Sequence, residues 1–237
     1  MKTGPSRYSV YVTDYCVSAR AERIREVIDR LVAEGVAVAA SNGEEHTLFP
    51  VAISAAEGAS LREWVRREKA AQTIEIGLGY GISSLHICEA LVENGDARAR
   101  HFVIDPCQST RFADCALQFL ADAGVRPIVE YHDAPEMVLP RFLSERRRFD
   151  LAFVDGNHRF DAVFVDLFYL GRLVRPGGII FLDDYQLPGV NRAVAFWMRN
   201  LGWTLEEESV ADRLHTWAVL RTSVTPDTRP FDFYIAF

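Results

Sequence analysis

Four short stretches of this 237-residue chain combine residue types at spacings that can do chemistry. The first is Glu75-Ile76-Gly77-Leu78-Gly79-Tyr80-Gly81, followed by Ile82-Ser83-Ser84. Its glycines permit positive φ and let backbone approach a ligand with no Cβ in the way, and a helix opening behind them would add free N–H groups. A strand-to-helix turn also needs glycine for steric reasons alone, so the loop by itself supports both readings. Its spacing is G-x-G-x-G with an acid two positions ahead, not the G-x-G-x-x-G of a dinucleotide site. The second stretch ends in Asp105, 28 residues past Gly77, where a carboxylate can accept hydrogen bonds from both hydroxyls of a ribose. The third is His132-Asp133-Ala134, whose acid can accept from an adenine amino group.

The fourth constellation is acidic. One run reads Val154-Asp155-Gly156-Asn157-His158 and another reads Leu182-Asp183-Asp184-Tyr185. If they end neighbouring strands, roughly 4.8 Å apart, three carboxylates and an imidazole converge. Like charges brought together out of water must be neutralised, and a divalent cation with oxygen ligands does so economically. The plainer alternative is that Asp155 or Asp184 caps the helix that follows it.

These residues need elements that hold them at one edge. Ile24, Val27, Ile28 and Leu31 recur at helical spacing before Gly35, which predicts an amphipathic helix over 19–34; a second helix is expected over 59–69. From residue 72 short apolar runs alternate with helical segments: strands at 72–77, 101–105, 127–132, 149–155, 177–184 and 215–222, and helices at 83–93, 110–123, 135–143, 160–173 and 189–200. That alternation is the mark of βαβ units. The expected fold is therefore α/β, a Rossmann-like doubly wound sheet, mostly parallel with an antiparallel last strand, plus an N-terminal helical extension. The expected divisions are an extension or cap over 1–56, a cofactor-binding domain over 57–222, and a tail packed on it over 223–237. Ligands of such sheets bind at the carboxyl ends of the strands, where all four stretches fall.

Composition removes competing chemistries. Of 26 basic residues only Lys2 and Lys69 are lysines, so Schiff-base and phosphate-binding lysine mechanisms have almost no candidates, and no Gly-Lys-Ser/Thr occurs. A net charge of −7 argues against a general nucleic-acid footprint, and Arg146-Arg147-Arg148 reads as a solvated loop. The four cysteines form no CxxC pair and read as reduced thiols. No run approaches the ~20 apolar residues of a membrane span, and the first residues lack an apolar signal core, so a cytoplasmic protein is expected.

E-x-G-x-G-x-G, an acid ending the second strand and Asp-Ala after the third together resemble the class I methyltransferases, which use S-adenosylmethionine. The resemblance implies that Glu75, Gly77, Gly79, Gly81 and Ser83 lie along the methionine and ribose portions. It also implies that Asp105 holds the ribose, that Asp133 and Ala134 face the adenine, and that Asp155 borders the cofactor. The acidic runs are similar to the metal-dependent O-methyltransferases of the catechol and caffeoyl-coenzyme A type and to a bacterial branch acting on macrolide sugars. By that similarity Asp155, Asp183 and Asp184 would ligate Mg²⁺ or another divalent cation, and His158, with Asp155 beside it, would be the catalytic base. Two departures stand out: histidine where those relatives carry lysine, and Asp183-Asp184 where they carry Asp-Asn.

The expected activity is methyl transfer to a hydroxyl of a small molecule, as in small-molecule biosynthesis. A metal-independent enzyme using His158, an NAD-dependent oxidoreductase and a non-catalytic cofactor-binding partner protein are the rivals. A homodimer through the N-terminal helix or the aromatic tail is an open reading.

Overall fold

The computed structural model describes residues 7–209 and 216–237. The chain begins with a long helix α1 (Arg7–Glu34), an antiparallel ribbon of β1 (Val36–Val38) and β2 (Glu45–Thr47), and helix α2 (Ala55–Arg67). Strands and helices then alternate: β3 (Gln72–Ile76), α3 (Ile82–Asn94), β4 (Arg100–Ile104), the single turn α4 (Gln108–Arg111), α5 (Cys115–Asp122), β5 (Val129–His132) and α6 (Pro135–Ser144). They continue with β6 (Phe149–Val154), α7 (Phe160–Leu173), β7 (Val174–Leu182), α8 (Pro188–Leu201), β8 (Thr204–Glu208) and β9 (Ala218–Arg221). The seven-stranded sheet has the order β5-β4-β3-β6-β7-β9-β8. Strands β5 to β7 in that order run parallel, and β9 runs antiparallel to both β7 and β8. This is the expected α/β class with its antiparallel end.

Each sheet face is covered by helices whose apolar stripes follow from the sequence. Ile24, Val27, Ile28 and Leu31 of α1 bury into one core with Leu85 and Leu91 of α3. Arg25 and Arg62 reinforce that packing, since both pair with the fully buried Glu89 of α3, at 2.5 and 2.8 Å. The segment read as an extension thus shares the main core, and a boundary at 56/57 falls inside the first turn of α2. On the opposite face Val163, Leu167 and Leu170 of α7 and Val190, Val194 and Trp197 of α8 form the second core.

Several elements differ from the sequence expectation. The helix expected over 110–123 is interrupted, because Ala113 and Asp114 take φ of 48° and 57°. Two residues of the strand expected over 127–132, Pro127 and Ile128, fall instead in a 3-10 turn at Arg126–Ile128. Strand β8 was not expected at all. His215, with which the last strand was expected to open, lies outside the described residues. Arg147 packs its guanidinium over Phe142 and Phe102 and pairs with Glu145, which accounts for the middle of the basic run. No described helix is long and apolar enough to cross a membrane. The tail is fastened by Asn200, which donates to the Ile235 carbonyl at 2.9 Å and accepts its N–H at 2.8 Å.

Candidate active site

The parallel ladder continues one residue beyond each strand, and that step builds the site. Asp105 N–H donates to His132 O at 2.9 Å, Gly77 N–H to Ile104 O at 2.9 Å, Asp155 N–H to Ile76 O at 2.8 Å, and Asp183 N–H to Val154 O at 3.1 Å. The four residues therefore stand side by side along the carboxyl edge. Strand order reverses between β3 and β6, the switch point at which open α/β sheets bind ligands. There Gly77, at φ +90°, passes so close to β6 that an added Cβ would lie 2.0 Å from the Asp155 carbonyl oxygen. Only glycine fits.

The glycine loop is held in shape by Asp105. Its Oδ2 accepts the Leu78 and Gly79 N–H groups, both at 3.0 Å, and its Oδ1 accepts the Cys107 N–H at 2.6 Å. Gln108, fully buried, donates to both the Gly79 carbonyl and Asp105 Oδ2, at 2.8 and 3.0 Å. Behind the loop the buried Glu75 carboxylate accepts from the Ser83 and Ser84 hydroxyls and pairs with His101 Nε2 at 2.8 Å. Glu75 thereby fastens the first turn of α3 to β3.

At the ends of β6 and β7 the acids meet. His158 lies between two of them, Nε2 at 3.3 Å from Asp155 Oδ1 and Nδ1 at 3.0 Å from Asp184 Oδ2. Hydrogen bonding to Asp155 raises the imidazole above its usual 6.5, with the charges of Asp184, Asp155 and Asp183 adding to it and partial burial opposing. Burial pushes Asp155 up to about 7, against the opposing pull of His158. Asp183 and Asp184 directly follow β7, and both line the cavity described below. Asp183 accepts the Asp184 N–H at 2.6 Å. Asp184, at φ 54°, takes the Gln186 amide at 2.7 Å.

Both groups open on one cavity of about 1070 Å³, walled on one side by Gly77, Gly79 and Asp105 and on the other by Asp155, His158 and Asp184. Pro50, Val51, Ala52 and Ile53, from the connection between β2 and α2, close a further wall. A volume at the upper end of the usual range for small-molecule pockets accommodates a cofactor together with a small second ligand.

The chain matches a family of methyltransferase domains over residues 74–185, which spans the glycine loop through Asp184. A curated protein of Mycobacterium sp. (strain JLS), named provisionally as an O-methyltransferase, is 29% identical over 178 residues, 72% of this chain and 74% of its own. Among solved structures, the O-methyltransferase TomG of Streptomyces achromogenes, involved in tomaymycin synthesis and bound to S-adenosylmethionine, superposes with a TM-score of 0.60. It is 26% identical over 73% of this chain and 82% of that one. An O-methyltransferase of Bacillus cereus bound to S-adenosylhomocysteine shares the fold, with a TM-score of 0.66 at 18% identity over 84% and 91% of the two chains.

The chain carries a methyltransferase domain. In this methyltransferase Gly77, Gly79, Gly81, Ser83, Asp105 and Asp155 all line the cavity. Asp133 and Ala134 stand at its margin, immediately ahead of Pro135 and Glu136, which line it. Glu75 lies behind the loop and not among the lining residues, so the structure gives it an architectural place where the sequence suggested a cofactor contact. The candidate donor group shares Asp155 and Asp184 with the expected ligands. The atoms that lie within 4.8 Å of one another, and so could share an ion, belong to Asp155, His158 and Asp184; Asp183 lines the same cavity but is not one of that group.

Two residues of the site had escaped the sequence reading. Gln108 follows Asp105 by three positions, a spacing with no motif attached. Glu57 sits in the first turn of α2, fully buried, with neither carboxyl oxygen meeting a hydrogen-bond donor. Burial, then the charges of Asp183 and Asp155, push it up to about 10. Among the described residues no lysine or arginine pairs with Glu57, Asp155, Asp183 or Asp184; His158 is the single basic partner there. A surplus of carboxylates with an outward-facing donor set is chemically suited to a divalent cation.

Proposed function

We propose that the methyltransferase transfers the methyl group of S-adenosylmethionine to a hydroxyl of a small molecule, with a divalent cation held at Asp155 and Asp184 and His158 as base. The observation that carries this is the strand-edge ladder, which puts a cofactor-type loop and an acid–imidazole group around one cavity. The S-adenosyl ligands of TomG and of the Bacillus cereus enzyme support the cofactor. The O-methyltransferase names of the relatives support the acceptor atom.

In this reading the glycine loop and Asp105 orient the cofactor so that its sulfonium methyl faces the acid group, and catalysis comes largely from positioning. Asp184 holds the Nδ1 proton of neutral His158, the shorter of its two contacts, leaving Nε2 to receive the acceptor's hydroxyl proton. The acceptor oxygen then forms a bond to the methyl carbon as the carbon–sulfur bond breaks. The electron pair returns to sulfur, which leaves as the neutral thioether of S-adenosylhomocysteine, and the imidazolium is stabilised by Asp155 and Asp184. A divalent cation, when bound, supplies Lewis-acid stabilisation of negative charge on the acceptor oxygen.

A second reading is favoured by the convergence of Asp155, His158 and Asp184 on one point: His158 would be a ligand, not the base. The two separate in His158→Gln, which keeps Mn²⁺ affinity and loses rate if the residue is the base, and loses Mn²⁺ affinity if it is a ligand. The primary test is calorimetry with S-adenosylmethionine, expected to show one site per chain that is lost in Asp105→Ala, together with S-adenosylhomocysteine release from a panel of hydroxyl acceptors with Mg²⁺ or chelator. No binding at millimolar cofactor refutes the proposal; undiminished turnover in excess chelator refutes its metal component.

A further inference from the structure

Strands β7 and β9 run antiparallel with Leu182 opposite Ala218. Two residues beyond that register Asp184 falls opposite Thr216, so the turn that carries Asp184 is built against the entry to β9. Thr216 engages it from both sides of its own peptide: its carbonyl accepts the Tyr185 N–H at 2.8 Å, and its N–H and hydroxyl both donate to Gln186 Oε1 at 2.9 Å. A backbone N–H can only donate, so the amide oxygen of Gln186 must face Thr216 and its NH₂ must face the other way.

That NH₂ donates to Asp184 Oδ1 at 2.7 Å, and hydrogen bonds to a carboxylate are among the stronger ones. The other carboxylate oxygen, Oδ2, is left to stand 3.0 Å from His158 Nδ1. Asp184 and Gln186 line the cavity, whereas Thr216 is not one of its lining residues. A turn side chain without such a partner keeps rotamer freedom that ligand binding would have to remove. The backbone of Asp184 is fixed as well, since at its left-handed φ of 54° its carbonyl accepts the Leu187 N–H at 2.9 Å. The direction in which Asp184 presents its carboxylate is therefore set by contacts that begin at Thr216 and pass through Gln186.

We propose that Gln186, anchored by Thr216, is a positioning residue of the divalent-cation site: it aims the Asp184 carboxylate so that it converges with Asp155 and His158. Gln186 and Thr216 both lie beyond the matched segment 74–185. This rests on the metal component of the proposed function, in which Asp184 is a ligand. Partners that orient the ligands of a metal typically change its affinity ten- to a hundredfold when removed.

The test is Mn²⁺ binding, followed by electron paramagnetic resonance, in the full chain and in its Gln186→Leu and Asp184→Ala variants. Leucine fills a similar volume but neither donates to Asp184 nor accepts from Thr216. Gln186→Leu is expected to bind Mn²⁺ at least tenfold more weakly than the parent, with S-adenosylhomocysteine affinity unchanged. Its loss should not exceed that of Asp184→Ala, since a residue that acts through Asp184 contributes no more than Asp184 does. A Gln186 that only braces the turn would lower the melting temperature and leave Mn²⁺ affinity at the parent value. That result overturns the role of Gln186 alone, as does a loss larger than that of Asp184→Ala. Parent protein that binds no Mn²⁺ overturns the metal component of the proposed function with it. Should Gln186→Leu not fold, Thr216→Val decides, because it removes one of the two donors that orient the amide and alters no residue lining the cavity: weaker Mn²⁺ binding than the parent supports the assignment, and equal binding overturns it.

Discussion

Replacing Gly77 with alanine should damage the fold and the site together. The new Cβ would meet the Asp155 carbonyl oxygen at 2.0 Å, its carbon at 2.5 Å and the Gly156 nitrogen at 2.9 Å. These are backbone atoms of the neighbouring strand end, so no side-chain rotation relieves the clash. A left-handed φ costs a non-glycine residue about 1–2 kcal/mol, and overpacking typically adds about 1–3 kcal/mol. Taken together, a loss of roughly 3 kcal/mol corresponds to a fall in Tm of roughly 6–12 °C for a chain of this size. The relief that does occur must spread β3 from β6, which breaks the Asp155 N–H contact to Ile76 O and displaces Asp155. Calorimetric melting and S-adenosylhomocysteine titration would follow both effects. Gly79→Ala is the internal control: its φ is +51°, but the Cβ would touch only the Val51 Cγ1 at 3.4 Å, so about 1 kcal/mol is expected. Equal melting temperatures for the two variants, or a Gly77→Ala protein within a degree of the parent with full ligand affinity, would refute the close-approach reasoning.

Glu75→Gln should destabilise the protein by about 1–3 kcal/mol, the cost of disturbing buried hydrogen-bond partners, with S-adenosylhomocysteine affinity retained; unchanged melting with lost binding would instead restore Glu75 to the cofactor. In kcat/KM, the activity supported by neutral His158 should fall with decreasing pH through a midpoint above 6.5, since its hydrogen bond to Asp155 favours the charged form; a profile flat from pH 5 to 8 would count against the base. Without metal, the melting temperature should decline from pH 6 to 8. Asp155, with its value lifted from 3.8 to about 7, binds more protons folded than unfolded over that interval, and the raised His158 contributes stability that is lost as pH rises through its folded value. A melting temperature that climbs over the same range would show the sign to be wrong.

Much of the site was legible because its residues terminate strands. Gly77, Asp105, Asp155 and Asp183 each follow an apolar run, and a parallel sheet must bring such positions to one edge. What was not legible depended on direction and on partners distant in sequence. The pair Asp183-Asp184 reads as two equivalent ligands, whereas Asp183 accepts the Asp184 N–H and Asp184, at a left-handed φ, takes the Gln186 amide. Glu57 belongs to none of the motifs read from the sequence, and only the fold buries it close enough to Asp183 and Asp155 for their charges to act on it. Strand β8 reads Thr204-Leu205-Glu206-Glu207-Glu208; it lies at the sheet edge and pairs through backbone, so its side chains carry no apolar run. Its glutamates nevertheless have partners, for Glu207 accepts the indole N–H groups of Trp64 and Trp217, both at 2.8 Å.

The ladder that aligns Asp105, Gly77, Asp155 and Asp183 also governs when the site can open. Backbone amides bonded within a central sheet exchange with solvent only when large cooperative units unfold, whereas segments with few buried contacts open at far lower cost. The floor of the cavity therefore belongs to the slowest-exchanging part of the molecule, and an acceptor cannot enter by its fluctuation. Pro50 and Val51, which join β2 to α2 outside the large sheet, are the exposed part of the opposite wall, while Ala52 and Ile53 are packed into the core. Amide exchange should show these two walls of one cavity to live on separate timescales.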